Sequence, residues 1–243
     1  MNRLEMVNKL DLNLVEKRLG YHLENNPNRL MRNGIKSVTI HQTDSFSVGA
    51  GAESHHEYLR KGTGGRKVSW HYAIDEKMAL QHFRDDRVTW HSGRAEGNES
   101  SVSIEMCVNA DRKGEPVKGE KNYRKTLDNG AKLTAILLVQ HGLSLKDVKQ
   151  HNDWSGKNCP SQIRRKLYGI TWDDFMRDVT TYYNTLTAPD KPVEADVAPE
   201  GKLYRVGVGA YKKLANAQET LAVAKASGLD AYLVLVDDPN YQG

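Results

Sequence analysis

The sequence predicts an α/β fold: a central mixed β-sheet flanked by helices, followed by a small βαβ module. Three observations carry this. Short β-rich runs with alternating polarity recur in the first two thirds of the chain. Apolar residues at helical spacing lie between and after them. A segment at 184–201, with three prolines, four acids and almost no large apolar side chain, separates this part from a tail. The expected organisation is a first domain over 1–183, a linker over 184–201 and a module over 202–243.

The elements follow in order. Lys36 to His41 is β-rich and ends on a histidine, and Val68 to Asp75 is a second strand. Ser101 to Cys107 is a third, with Val102, Ile104 and Met106 on one face and Ser103, Glu105 and Cys107 on the other. Asp128 or Asn129 caps a helix that runs through Leu133, Ile136, Leu137 and Gln140 and ends near Gly142. Val148 to His151 is a short strand-like entry to a loop. Trp172, Phe175, Val179 and Tyr182 recur at helical spacing, so 171–183 is a closing helix. The tail reads as a strand at Leu203 to Val208, an Ala-rich helix from Ala215 to Ser227, and a strand at Ala231 to Val236.

Composition narrows the function classes. The chain has 243 residues, 38% of them hydrophobic, and a net charge of +4. Mean hydropathy is −0.67. No apolar run approaches membrane-spanning length. The first 19 residues scatter charges and hold no apolar core, so a secretory signal is not expected and synthesis is expected in the cytoplasm. Two cysteines, Cys107 and Cys159, cannot build a disulfide framework. Six bases face eight acids in 184–243, leaving the rest of the chain at about +6. A basic first domain suits an anionic polymer, either nucleic acid or a cell wall. The bases are dispersed and no nucleic-acid reader motif is present, so no nucleic-acid partner is expected.

The chemistry concentrates in one loop. His151 and Cys159 lie eight residues apart in a Gly- and Asn-containing stretch closed by Pro160. Imidazole and thiolate are both good zinc ligands. Among nine histidines, His22 and His141 read as surface or packing residues and His82 as solvated. The adjacent His55 and His56 point about 100° apart on a helix and do not share one metal. His41 ends an apolar strand before Gln-Thr-Asp, where it is either a ligand offered to a cleft or a plain strand-end histidine. With it, His151 and Cys159 make a three-ligand zinc set with a fourth position left to water. Zinc acidifies that water and polarises a carbonyl. Glu105 is the mid-strand carboxylate on a polar face, a general base or acid if it is not a salt-bridge partner. Lys157, two residues before Cys159, is an oxyanion partner if it is not a solvated loop charge. Trp70-His71 and Trp90-His91 read as a cleft rim that stacks on sugar or peptide, or as half-buried aromatic wedges. The Gly-rich stretches at 49–51 and 62–65 match no phosphate-binding fingerprint.

Taken together, Val38-Thr39-Ile40-His41-Gln42-Thr43, Val68 to Asp75, Trp90-His91-Ser92-Gly93, Ser101 to Glu105, and His151 to Pro160 resemble the zinc N-acetylmuramoyl-L-alanine amidases of the amidase-2 type, a class that includes phage endolysins. The resemblance runs over roughly 36–168. It implies Zn2+ held by His41, His151 and Cys159, with Glu105 as catalytic carboxylate and Lys157 on the oxyanion. It also implies cleavage between N-acetylmuramic acid and L-alanine in peptidoglycan, most naturally a Gram-positive wall reached through a holin-type pore. Many relatives carry Tyr where this chain has Trp70, so no proton-transfer role falls to that residue. Trp70, His71 and His91 are expected to bind substrate at the cleft.

The tail more distantly resembles a SPOR-like or amidase-associated wall-binding module, of which it holds one βαβ copy. Its open strand edge is expected to pair with a second tail, giving a homo-oligomer. Two other readings stand beside the enzyme: a non-catalytic peptidoglycan-binding protein of the same fold, and a hydrolase with Cys159 as nucleophile.

Overall fold

β-Branched and aliphatic runs build one six-stranded sheet. Its strands are β1 (Leu14–Glu16), β2 (Ser37–Gln42), β3 (Tyr72–Ile74), β4 (Ala79–Gln81), β5 (Ser101–Met106) and β6 (Val148–Gln150). The order is β1-β4-β3-β5-β2-β6, with every neighbouring pair parallel except β3–β4. The computed structural model describes residues 1–20, 23–45, 49–108, 119–189 and 214–226. It divides into a unit over Met1–Pro189 and a second over Asp190–Gly243. The sheet belongs to the first. None of the described helices is long and apolar enough to cross a membrane.

The helices are α1 (Arg3–Lys9), α2 (Ala52–Arg60), α3 (Ala95–Ser100), α4 (Gly119–Gln140), α5 (His151–Ser155), α6 (Ser161–Arg164), α7 (Trp172–Thr187) and, in the second unit, α8 (Leu214–Ala226). One sheet face presents Val38, Ile40, Val102, Ile104, Met106, Tyr72 and Ile74. They form a single apolar core with Leu133, Ile136 and Leu137 of α4 and Phe175 and Val179 of α7. On the other face, Leu59, Trp70, Ala73, Leu80 and Phe83 form a smaller cluster with Ala52 of α2. That cluster covers the β3–β4 side. The β5–β2–β6 side of the same face carries polar residues, and the candidate site lies there.

Three expectations shift. The long helix starts at Gly119, because the buried stripe extends back through Leu127 and Tyr123. Asp128 therefore sits mid-helix, near Lys125, Lys132 and the Tyr182 hydroxyl. Asn129 is buried and donates to the Asp75 carbonyl at 2.9 Å. The closing helix passes position 183 and reaches Thr187. Buried Leu186 anchors its end, and Thr185 and Thr187 hydroxyls donate to carbonyls one turn back, each at 2.9 Å. His82 is fully buried: its main-chain N–H donates to the His71 carbonyl at 2.7 Å, and its Nδ1 lies 3.1 Å from His56 Nδ1. His141 is a packing residue, with Nε2 2.9 Å from Asp85. In the tail, α8 occupies the expected helical segment. The strands expected at 203–208 and 231–236, and His22, lie outside the described residues.

Candidate active site

Residues in register on parallel neighbours point to the same face, and this brings the polar positions together. Thr39 pairs with Ser103, and His41 pairs with Glu105. Lys149 of the edge strand pairs with Thr39. The strands supply a flat shelf, and the segment after β6 folds over its end. There α5 begins at His151 and is stopped by Gly156 in the left-handed conformation, at φ 74°. The loop closes on itself: Asn152 N–H donates to the Cys159 carbonyl at 3.1 Å, and the Asn152 side chain donates to the Lys157 carbonyl at 2.9 Å.

Three metal-ligating atoms meet at this point. His41 Nδ1 lies 3.0 Å from His151 Nδ1 and 3.9 Å from Cys159 Sγ. All three ligand atoms fall within 4.8 Å of one another, and all three residues are buried. A tetrahedral zinc ion places such atoms about 3.3 Å (N to N) and about 3.6 Å (N to S) apart. The set therefore fits zinc. Burial pushes all three toward their uncharged forms. His41 falls well below the usual imidazole range, with His91, His151 and Lys157 adding to the effect. His151 falls to about 4 through burial and the Lys157 charge. The Cys159 thiol rises to about 12 through burial and the nearby Glu105. Neutral imidazoles are ready ligands. The thiol needs a cation beside it to ionise.

Glu105 completes the group. Its Oε1 lies 3.9 Å from His41 Nδ1, and its side chain is 17% exposed. Its buried Oε2 has no hydrogen-bond partner among the described residues. Burial raises its pKa to about 8, with Lys157 pulling down and Asp44 pushing up. Lys157 is exposed, and no described carboxylate lies within ion-pair distance of it. Its charge reaches His41, His151, Glu105 and Cys159 alike. The site thus brings together an N/N/S donor set, a carboxyl group poised near neutrality and an exposed cation.

Family comparison places this geometry. The Amidase_2 family, described as N-acetylmuramoyl-L-alanine amidase, matches residues 31–162, which include every residue of the site. The chain belongs to this amidase family. It is 36% identical to the N-acetylmuramoyl-L-alanine amidase XlyA of Bacillus subtilis over 140 residues, 57% of this chain but 42% of the relative. To CwlH of the same organism it is 29% identical over 206 residues, 79% of this chain and 74% of the relative. Among solved structures, a mutant endolysin from Bacillus subtilis aligns with a TM-score of 0.58 at 31% identity, covering 69% of this chain and 99% of that one. The catalytic domain of XlyA aligns with a TM-score of 0.57 at 29% identity, covering the same 69% and 99%.

Within this amidase-family domain, the residues expected to touch substrate are packed inside. His71 is fully buried, with Nδ1 2.9 Å from Ser103 Oγ and Nε2 2.8 Å from the Arg87 carbonyl. Trp70 is buried in the cluster under α2. His91 is 9% exposed, and its Nδ1 lies 3.0 Å from His41 Nε2. All three lie outside the strands, in segments that lead into β3 and α3, where an aromatic next to a histidine reads the same whether it faces a cleft or the interior. Trp90 and Trp154 remain half-buried beside the site.

Gln42 was not singled out from the sequence and has a structural part. Its Oε1 accepts from the main-chain N–H groups of Gln162 and Ile163, each at 3.0 Å, and its Nε2 donates to the Tyr123 hydroxyl at 2.9 Å. One side chain next to His41 thereby fixes the chain that follows Cys159. Its partners are backbone groups 120 and 121 positions away, which leave no residue signature.

Proposed function

We propose that this domain is a zinc-dependent N-acetylmuramoyl-L-alanine amidase that cuts the amide between N-acetylmuramic acid and the L-alanine of the peptidoglycan stem peptide. The observation that carries the reading is the convergence of His41 Nδ1, His151 Nδ1 and Cys159 Sγ beside Glu105 in a chain of this family. The named activities of XlyA and CwlH support it.

The two imidazoles and the thiolate would hold zinc. When bound, the metal supplies Lewis acidity, polarising the amide carbonyl and acidifying water. Glu105 takes a proton from the attacking water at its unpartnered Oε2 and returns it to the departing L-alanine nitrogen. A carboxyl group that titrates near neutrality does both steps at little cost. Lys157 stabilises the negative charge that gathers on the amide oxygen in the tetrahedral transition state. A thiol nucleophile is disfavoured by the same surroundings, because burial keeps the Cys159 thiol protonated up to about 12 even with the Lys157 charge near it.

In this reading the substrate is bacterial peptidoglycan of a Gram-positive wall, reached after cytoplasmic synthesis through a holin-type pore. The 202–243 segment is a βαβ wall-binding module that associates with a second copy. The test of the catalytic reading is zinc content and wall hydrolysis in Cys159→Ser. Both are expected to vanish together. A variant free of zinc that still cleaves walls would remove the metal from the mechanism.

A further inference from the structure

We propose that His91 is a positioning residue for the metal ligand His41, fixing its ring orientation and its tautomer from behind. The inference rests on the metal-site reading above and adds a residue to it that touches neither metal nor substrate.

His41 Nδ1 is turned toward His151 Nδ1 and Cys159 Sγ. A nitrogen that ligates must offer its lone pair, so the ring proton has to sit on Nε2. Nε2, on the other side of the ring, lies 3.0 Å from His91 Nδ1. For His41 to ligate, His91 must therefore accept at Nδ1 and carry its own proton on Nε2. That Nε2 is buried and has no hydrogen-bond partner among the described residues, so the contact with His41 is the one hydrogen bond recorded for the His91 ring. The two rings meet edge to face, with centroids 5.2 Å apart and planes at 84°, a geometry that also resists rotation of His41.

His91 is itself held rigidly. Asn98 of α3 accepts from the main-chain N–H groups of both His91 and Ser92 at 2.9 Å, and Trp90 N–H donates to Ser69 Oγ at 3.0 Å. The next residues serve the second ligand. The Ser92 carbonyl pulls the His151 pKa upward, and Gly93, at φ 73°, holds a turn whose Cβ position lies 3.8 Å from His151 Nε2. The Trp90-His91-Ser92-Gly93 stretch thus backs both imidazole ligands. Acceptors placed behind metal-bound histidines fix the tautomer and the ring, and losing one typically weakens metal binding about 10–100-fold.

The test measures zinc affinity of the full chain by dialysis against a competing chelator, for the parent and for His91→Asn, His91→Gln and His91→Phe. Asn carries an acceptor near the Nδ1 position, whereas Gln carries its polar end further out and Phe fills the space with none. Asn is expected to bind within a few-fold of the parent, and Gln and Phe about 10–100-fold more weakly. The thermal midpoint of the chelated protein should move less than that of the zinc-loaded protein, because metal-free His41 can shift its proton to Nδ1. Parent-like affinity in both Gln and Phe, or a loss in Asn as large as in Gln, overturns the proposal. Should Phe fail to fold, the Asn and Gln pair decides alone. A parent protein that binds no zinc in the same dialysis overturns the metal site itself, so the two failures are told apart.

Discussion

His41 and Glu105 are register partners on adjacent parallel strands, and that pairing sets an imidazole and a carboxyl group 3.9 Å apart. Neither side chain depends on a loop for its place. The strands are buried on both faces and packed under α4, so the pair is as rigid as the core beneath it. Lys157 and Cys159 come from the loop after β6, which Asn152 ties to itself through the Cys159 and Lys157 carbonyls.

Glu105→Gln keeps the shape of the site and removes the proton carrier. Zinc content is expected to match the parent. Wall hydrolysis, followed by release of new amino termini, is expected to fall about 10²–10⁴-fold. A variant within a few-fold of the parent rate takes Glu105 out of the proton transfer.

Gln42→Leu leaves the main-chain N–H groups of Gln162 and Ile163 buried without an acceptor. Each such orphan costs about 1–3 kcal/mol. Urea unfolding should show a loss in that range or above, together with weaker zinc retention, since the chain after Cys159 is released. Unchanged stability would mean that α6 is held in place by other contacts.

Acid should destabilise the metal-free protein. His71 titrates at about 4 when folded, because burial disfavours its charged form, against a reference of about 6.5 unfolded. Its neutral form therefore favours the fold fully above about pH 6.5, and that contribution is lost as pH falls toward 4. His41, His82, His91 and His151 are shifted in the same direction by burial. Thermal midpoints taken in chelator should drop steeply from pH 7 to pH 5. A flat profile across that range would show that these rings are not held neutral.

Removal of 190–243 spares α7 and the whole of the first unit. The shortened chain should hydrolyse soluble muropeptides at the parent rate and sediment with purified walls less well. Equal sedimentation would deny the tail a wall-binding part.

Much of the site was legible in the sequence because its chemistry is local or periodic. The loop from His151 to Pro160 carries two candidate ligands and a cation within ten residues, and the alternation of β5 marks Glu105 as facing away from the apolar core. His41 is conspicuous at a strand end. What escaped has partners that sequence does not display. Gln42 acts on backbone N–H groups, and His91 meets His41 across 50 positions. In the fold, the first turns of α4 were lost to an attractive cap at Asp128. The short strands β1 and β4 have three residues each, too few for an alternation to register.

The most direct measurement digests purified walls with this protein, with and without a zinc chelator, and identifies the new chain ends. New L-alanine amino termini that vanish with chelation and return on adding zinc, without new reducing sugars, are the expected result. Undiminished cleavage in chelator, or reducing sugars in place of L-alanine termini, would contradict the account.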